Sequence, residues 1–443
     1  VLLAALVALR RERERWRDVP LRALHVHHGL RPAADEWARY CRSLCRELGV
    51  PLQVSRVQVA SGTGASLEAE ARRARYAALE RGLRRDEWLL TAHHVDDQLE
   101  TMLLQWMRGA GVAGLAAMPQ RAAFGRGWLM RPLLSMSRDE LLRVARAQRL
   151  AWVEDDSNVD QRFERNYVRA QVAPMLRARW PAAARVAARS AAHLGEAKDL
   201  LEEIAALDLA ELTAPGGALE LSKLALLSIA RQRNALRHWL TVRGLTTPDT
   251  VHLERIRVEL SAARTDAQPS VRWAGGEVRR FRGRLYAFTA AQSATLALPS
   301  KAAQRASLQP SRQPSLQPWD WRRRKRFELA ENRGALRLVA DRYGNIDGAK
   351  LPAKLWVGVR TGGEKIRLAA SGPHSALKEL LRTAAVPPWE RERLPLLYSI
   401  PTAGLPTALL AVGDLFVDTR IQVHLEAPPT RGRFRLEWEG RFW

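Results

Sequence analysis

At 443 residues the chain is too long for one compact core, and roughly 100–200 residues per domain predicts two to four domains. Its 71 Lys and Arg outweigh 47 Asp and Glu, a formal charge of +24 carried almost wholly by arginine, which fits a phosphate polyanion better than a small acidic metabolite; an arginine-rich genome composition would give the same balance. Two cysteines, Cys41 and Cys45, exclude a disulfide framework and a cysteine metal cluster. The opening apolar run precedes its charges, the reverse of a secretory signal, and is too short to span a bilayer, so a soluble cytoplasmic protein is expected.

In chain order, "VLLAALVALRRERER" has helical periodicity, "LRALHVHH" reads as a strand, "ADEWARYCRSLCRELG" as a helix and "PLQVSRVQV" as a strand. The rhythm continues through the helix "SLEAEARRARYAALERGLR", the strand "EWLLTAHH" and the helix "DDQLETMLLQWMRGAG". Alternating strands and helices imply a parallel sheet, whose ligands bind where a strand ends and the next helix begins. The helix "SRDELLRVARAQRL" follows Pro132, then the polar block "WVEDDSNVDQRFERNYVRAQVAPML" and a long Ala/Arg helix from Pro181 to about Leu212. Helices and short strands to Phe288 suggest a small second domain. A Ser/Gln/Pro/Arg-rich stretch with "SLQP" twice has linker composition, and Gly-punctuated strands around "SALKELLRTAA" suggest a last module. The expected domains are 1–178, 179–290 and 331–443, with 291–330 as the linker.

The stretch "HHVDDQLET" sits at a strand end. Asp96 and Asp97 suit a helix start, where the dipole favours carboxylates, but Glu100 lies one turn further on the same edge. Three converging acids repel unless a cation sits among them, either a metal or a ligand's ammonium group; a solvated acidic helix start is the plainer alternative. Adjacent histidines on a strand face opposite ways, so only one of His93 and His94 can join the acids, which argues against zinc. His25, His27 and His28 also end a strand and are expected to approach the first pair across the sheet. Arg108 precedes Gly109, Gly111 and Gly114, a backbone able to approach a phosphate. Arg162, Arg165 and Arg169, with Asn166, form a basic stripe that suits an RNA backbone or a solvated helix face equally well.

In order, "HVHHGLR", "SLEAEARRARYAAL", "TAHHVDDQLETMLLQWMRGAGVAGL", "RPLLSMSRDEL", "WVEDDSNVDQRFERNYVR" and the tail "GGEKIRLAASGPHSALKELLRTAAVPPWERERLPLLY" resemble the tRNA(Ile)-lysidine synthases, a branch of the PP-loop ATPase superfamily. The resemblance implies an α/β fold: a parallel-sheet PP-loop catalytic domain of the adenine nucleotide alpha hydrolase kind, a small helical/β domain, and an α+β C-terminal domain that grips tRNA. The family's Ser-Gly-Gly-x-Asp-Ser loop is missing from the sequence. The first domain is therefore expected to be truncated before its first helix, lacking the first strand and phosphate loop, with productive ATP binding in doubt.

The implied reaction adenylates the first anticodon cytidine of a tRNA(Ile) with a CAU anticodon at the oxygen on carbon 2. The side-chain amine of L-lysine then displaces AMP, and decoding and aminoacylation change from methionine to isoleucine. ATP, Mg2+, L-lysine and that tRNA are the implied cofactors and partners; no membrane is involved, and a homodimer is left open. By resemblance His93, Asp96, Asp97 and Glu100 are catalytic, with Asp97 and Glu100 tied to lysine. Arg108, Gly109, His27 and His28 match nucleotide or cytidine positions. Asp155, Asn158, Arg165, Asn166 and Arg169 match the lysine and tRNA entrance, and Lys378, Arg382, Arg391 and Arg393 the tRNA contacts, while Trp389 fits a packed elbow. Which residue holds metal is left unknown. The alternatives are a PP-loop tRNA 2-thiolation enzyme, which two helical cysteines suit poorly, and a non-catalytic tRNA-binding protein.

Overall fold

A computed structural model describes residues 1–29, 33–59, 67–153, 160–264, 269–296, 316–330, 333–399, 408–423 and 431–441. The chain divides into two compact units, Val1–Leu201 and Glu202–Trp443. In the first, helices α1 (Leu2–Glu12) and α2 (Glu14–Arg17) lead to strand β1 (Ala23–His27), α3 (Ala34–Glu47), β2 (Leu52–Arg56), α4 (Leu67–Gly82), β3 (Trp88–Leu90) and α5 (Val95–Met107). There follow α6 (Val112–Leu115), a hairpin of β4 (Arg121–Phe124) and β5 (Gly127–Met130), α7 (Arg138–Ala147), α8 (Glu164–Tyr167), a π-turn (Val168–Val172), α9 (Ala173–Arg179) and α10 (Ala183–Leu212), whose residues from Glu202 on belong to the second unit.

The expected parallel pairing is present: β1 runs parallel to β2, and β3 parallel to β5. The β4–β5 hairpin is an element the sequence pattern did not announce. It turns the sheet edge antiparallel before β5 returns beside β3. Helix α5 is anchored by Val95, Leu99 and Leu103 against Ala173 and Leu176 of α9 and Ala183, Ala184 and Ala187 of α10. The small alanines let the helices approach closely, so the polar start of α5 is held by an apolar seam on its other side.

In the second unit, strands Leu219–Glu220, Arg284–Thr289, Gly276–Phe281 and Ser270–Trp273 form an antiparallel sheet in that spatial order. Helices Ile229–Val242 and Thr250–Ala262 cover it through Leu236, Trp239, Leu240, Leu253, Ile256 and Leu260. A larger core sits between a five-stranded and a four-stranded antiparallel sheet built from Gln317–Trp438.

Here the expected linker 291–330 needs correction. Gln317–Trp319 pairs with Leu355–Gly358, and Arg326–Glu328 pairs with Ala335–Ala340. Composition misleads because Trp319 and Trp321 are buried in the core and give their indole N–H groups to the carbonyls of Arg324 and Pro352. Two anchored tryptophans outweigh a polar neighbourhood. Most of the Gln/Pro stretch, 297–315, lies outside the described residues.

Candidate active site

The site forms where β3 and β5 end. After Leu90 the chain runs extended to His94, and α5 starts at Val95, whose N–H donates to the carbonyl of Met136 at 2.8 Å. Asp97, on the first turn, accepts the backbone N–H of His94 at 2.9 Å and so closes its own helix start. Asp96 points elsewhere. It accepts the backbone N–H of Arg138 at 2.8 Å, where the positive end of α7 begins. Two adjacent aspartates thus serve two different helices, which makes each more than a solvated cap.

The cation demanded by the acids comes from the chain itself. Glu100, 2% exposed, accepts Arg169 Nε at 2.7 Å and Arg169 Nη2 at 2.9 Å, a two-pronged pair, and Arg165 Nε at 2.9 Å. Asp97 accepts Arg165 Nη2 at 3.1 Å and Arg169 Nη2 at 3.3 Å. Asp96 accepts Arg177 Nη1 at 2.9 Å. Three carboxylates therefore face three guanidiniums, and the expectation of a metal or a ligand ammonium as the neutralising charge is corrected for this state. Among the described residues no group of three or more His, Cys, Asp and Glu side chains is arranged to hold a metal ion. The hydrogen bond to Glu100 raises the pKa of Arg169 further above its ordinary value.

Helix geometry brings the arginines to one edge. Arg165 and Arg169 are one turn apart, but eight residues of α-helix rotate about 800°, which would swing Arg177 about 80° away from Arg169. The π-turn Val168–Val172 adds a residue to the turn and takes up most of that excess. Pro174 supplies the cause: it has no N–H for the carbonyl of Ala170, so the regular ladder fails just there. The stripe, expected to face either RNA or solvent, is instead turned inward at Arg165 and Arg169, while the exposed Arg162 pairs with Asp160.

His93 binds Thr91 Oγ1 through Nδ1 at 2.8 Å, and its pKa is pushed down to about 4, first by burial and then by Arg131, Arg165 and Arg72 against the opposing pull of Asp97. It is neutral at physiological pH. His94 approaches Asp96 and Asp97 at 3.6 and 3.5 Å. Arg72, Arg131 and Arg177 are charges that sequence reasoning missed. Arg131 follows β5 directly and is buried, donating to the carbonyl of Pro119 at 2.7 Å; its place at a strand end was the available signal. Gln98, also missed, holds the backbone of Met118 by both its amide N and O, at 2.8 and 3.0 Å.

Other expected positions are scattered. Arg108 is exposed and pairs with Glu164, and Gly109 takes a φ of +68° that closes α5, so this glycine turn ends a helix. His27 is buried against Asp35 at 3.2 Å and His25 lies by Cys41, and none of the described hydrogen bonds or ion pairs of His25 or His27 reaches His93 or His94. Burial, Arg75 and the neighbouring histidines lower the pKa of His28. Asn166 donates to the carbonyl of Asp160 at 3.0 Å. Asp155 and Asn158 lie outside the described residues. In the second unit Lys378 and Arg382 are exposed and Arg391 is half-buried, but Arg393 is 6% exposed and held by Glu390. Arg393 is therefore corrected from a tRNA contact to a buried ion pair. Trp389 is buried core, as expected.

Three family models match the chain: a PP-loop domain over residues 1–176, a TilS substrate binding domain over 219–286 and a TilS substrate C-terminal domain over 355–438. The chain is 42% identical to the tRNA(Ile)-lysidine synthase of Pseudomonas putida, across 92% of this chain and 89% of that protein. It is 40% identical to the tRNA(Ile)-lysidine synthase of Coxiella burnetii, across 85% and 80%. For the enzyme of that name in Xanthomonas campestris pv. campestris the identity is 38%, across 99% and 92%.

Proposed function

This chain belongs to the tRNA(Ile)-lysidine synthase family, and from that premise we propose that its six-residue acid–guanidinium cluster is where L-lysine is received for ligation to tRNA. The enzyme uses ATP and forms lysidine on tRNA(Ile). The observation that carries the reading of the site is the pairing of buried Asp97 and Glu100 with the Arg165 and Arg169 guanidiniums. An incoming ammonium group can replace a guanidinium on the same oxygens without leaving a carboxylate unpaired, and the displaced guanidinium can turn to the carboxylate of the lysine itself.

In this reading the cytidine oxygen on carbon 2 attacks the α-phosphorus of ATP and pyrophosphate leaves. The lysine side-chain amine, having lost its proton, then attacks carbon 2, and AMP departs with the oxygen. Asp97 and Glu100 hold the lysine, while His93, neutral beside Asp97, adds no like charge against the incoming ammonium. Arg131, at the end of β5, and Arg72, on α4, supply positive charge beside His93 for the phosphates of the nucleotide. Asn166 lines the entrance, with Asp155 and Asn158 assigned there by resemblance alone; Arg108, Gly109, His27 and His28 stay assigned to the nucleotide or cytidine on the same ground. Mg2+ does not fit the acid cluster as it stands, since each carboxylate already has a guanidinium partner; it enters this reading only as the companion of ATP, and no step runs through it. The proposed setting is the cytoplasm. Among the described residues no helix is long and apolar enough to cross a membrane. A homodimer is part of the reading only as an arrangement to be measured.

The test incubates the protein, with the Ser-Gly-Gly-x-Asp-Ser loop that this sequence lacks supplied at its N-terminus, with ATP, labelled L-lysine and a CAU-anticodon tRNA transcript. Lysine is incorporated, incorporation stops when the first anticodon C is changed to U, and Asp97→Asn abolishes it while tRNA binding survives. Incorporation that persists in Asp97→Asn would overturn the assignment of the site.

A further inference from the structure

Cations also gather in the second unit, at the seam between the small sheet and the C-terminal module. The hairpin joining Gly276–Phe281 to Arg284–Thr289 turns at Arg282 and Gly283, with φ of +45° and +73°. That tight turn projects Arg282 outward, and its Nη2 donates at 2.7 Å to the carbonyl of Arg382, in the last turn of helix Leu377–Thr383. A guanidinium there is favoured by the negative end of the helix. Four residues after that carbonyl, Val386 accepts Arg391 Nε at 2.8 Å, so an arginine from the small sheet's hairpin turn and one from the short helix Pro388–Arg391 are tied to consecutive backbone segments.

Beneath them Trp389 locks the two parts together. Its ring meets Phe281, Tyr286 and Phe288 edge-on at 5.5–5.9 Å between centroids. The seam is a packed core, so the arginines above it keep their spacing.

Their charges are not balanced. Arg360 leans on Glu364 at 3.5 Å and Arg382 on Glu379 at 2.9 Å, but among the described residues neither Arg282 nor Arg391 has a carboxylate partner. The exposed Glu392 makes no ion pair among the described residues either. Burial, and after it the like charges of Arg360 and Arg282, lower the pKa of Arg391. Like charges held together by fixed backbone bonds are unfavourable unless an anion completes them.

We propose that Arg282 of the small sheet and Arg391 of the C-terminal module, with Arg360 beside them, form one composite site for a backbone phosphate of the bound tRNA. The site exists only while the two modules are packed together, so Trp389 acts on RNA binding as a positioning residue. The proposal rests on the tRNA-modifying reading above, and it assigns to Arg282 a contact that neither module would make alone.

The test measures binding of the full-length protein to the CAU-anticodon tRNA over a range of KCl concentrations. Arg282→Gln and Arg391→Gln are compared with Arg255→Gln, the same charge change on the exposed helix Thr250–Ala262. Each seam variant weakens binding by about three- to tenfold and lowers the slope of log K against log salt by about 1, the signature of one lost phosphate. The double variant loses less than the sum, because both side chains hold the same phosphate. Seam variants that behave like Arg255→Gln, or singles whose losses add fully in the double, would overturn the composite site. A wild-type protein that does not bind the tRNA would overturn the functional reading instead.

Discussion

Arg169→Met probes the acid cluster most directly. It keeps an unbranched stem of similar reach and removes the two-pronged pair to Glu100 and the 3.3 Å bond to Asp97. Breaking a buried pair costs about 3–5 kcal/mol when the remaining charge is orphaned. Two facts lower that here: the Arg169 side chain is 34% exposed, and Arg165 still donates to Glu100 at 2.9 Å. A loss of about 2–3 kcal/mol follows, which for a unit of this size lowers the melting temperature by about 4–12 °C. Circular dichroism melts and urea titrations read it out. In Glu100→Gln the same arginine loses its charged partner, so the double variant Arg169→Met/Glu100→Gln falls short of the summed losses by at least about 1 kcal/mol. A single-variant loss below about 0.5 kcal/mol, or strict additivity in the cycle, would refute the claim that these charges satisfy one another.

His93 gives a pH signature. Between its ordinary 6.5 and the folded value of about 4, the unfolded chain binds a proton that the folded chain refuses, so stability is greatest above that window and falls as pH drops through it, by at most about 3 kcal/mol; His93→Gln flattens this part of the stability profile, and an unchanged profile counts against the buried neutral imidazole. Trp389→Ala removes a ring 3% exposed and its three edge-on partners, and urea unfolding of the variant shows a loss of about 3–5 kcal/mol, whereas a loss under about 1 kcal/mol contradicts a packed seam.

Much of the catalytic unit was legible because its signals are local. The helix periods of α3, α4 and α7 and the apolar runs of β1 and β2 each lie within one window of sequence. The acids at the start of α5 were legible for the same reason, since Asp96, Asp97 and Glu100 share one helical edge. Their partners were not. Arg177 stands 81 positions from Asp96, and its approach depends on the wide turn before Pro174. The β4–β5 hairpin escaped notice because its strands are four residues each, too short for a period to show. Trp319 and Trp321 were lost in a polar composition, and Arg393 reads from sequence like its exposed neighbour Glu392 although it is buried against Glu390.

By itself the sequence determined the residue types, their order and their helical edges: three acids at a strand end, a block of arginines some 65 positions later, and the ordered motifs of a tRNA-modifying family. Those follow from covalent spacing and 3.6-residue periodicity, which need no partner. The tertiary structure decided which charges meet. It paired the arginine block with the acids rather than with solvent, buried Arg393 while leaving Lys378 and Arg382 exposed, and set Arg282 on the last turn of a helix 100 positions away. Ion pairing is governed by distance in space and by burial, and neither quantity is written in the local order of the chain.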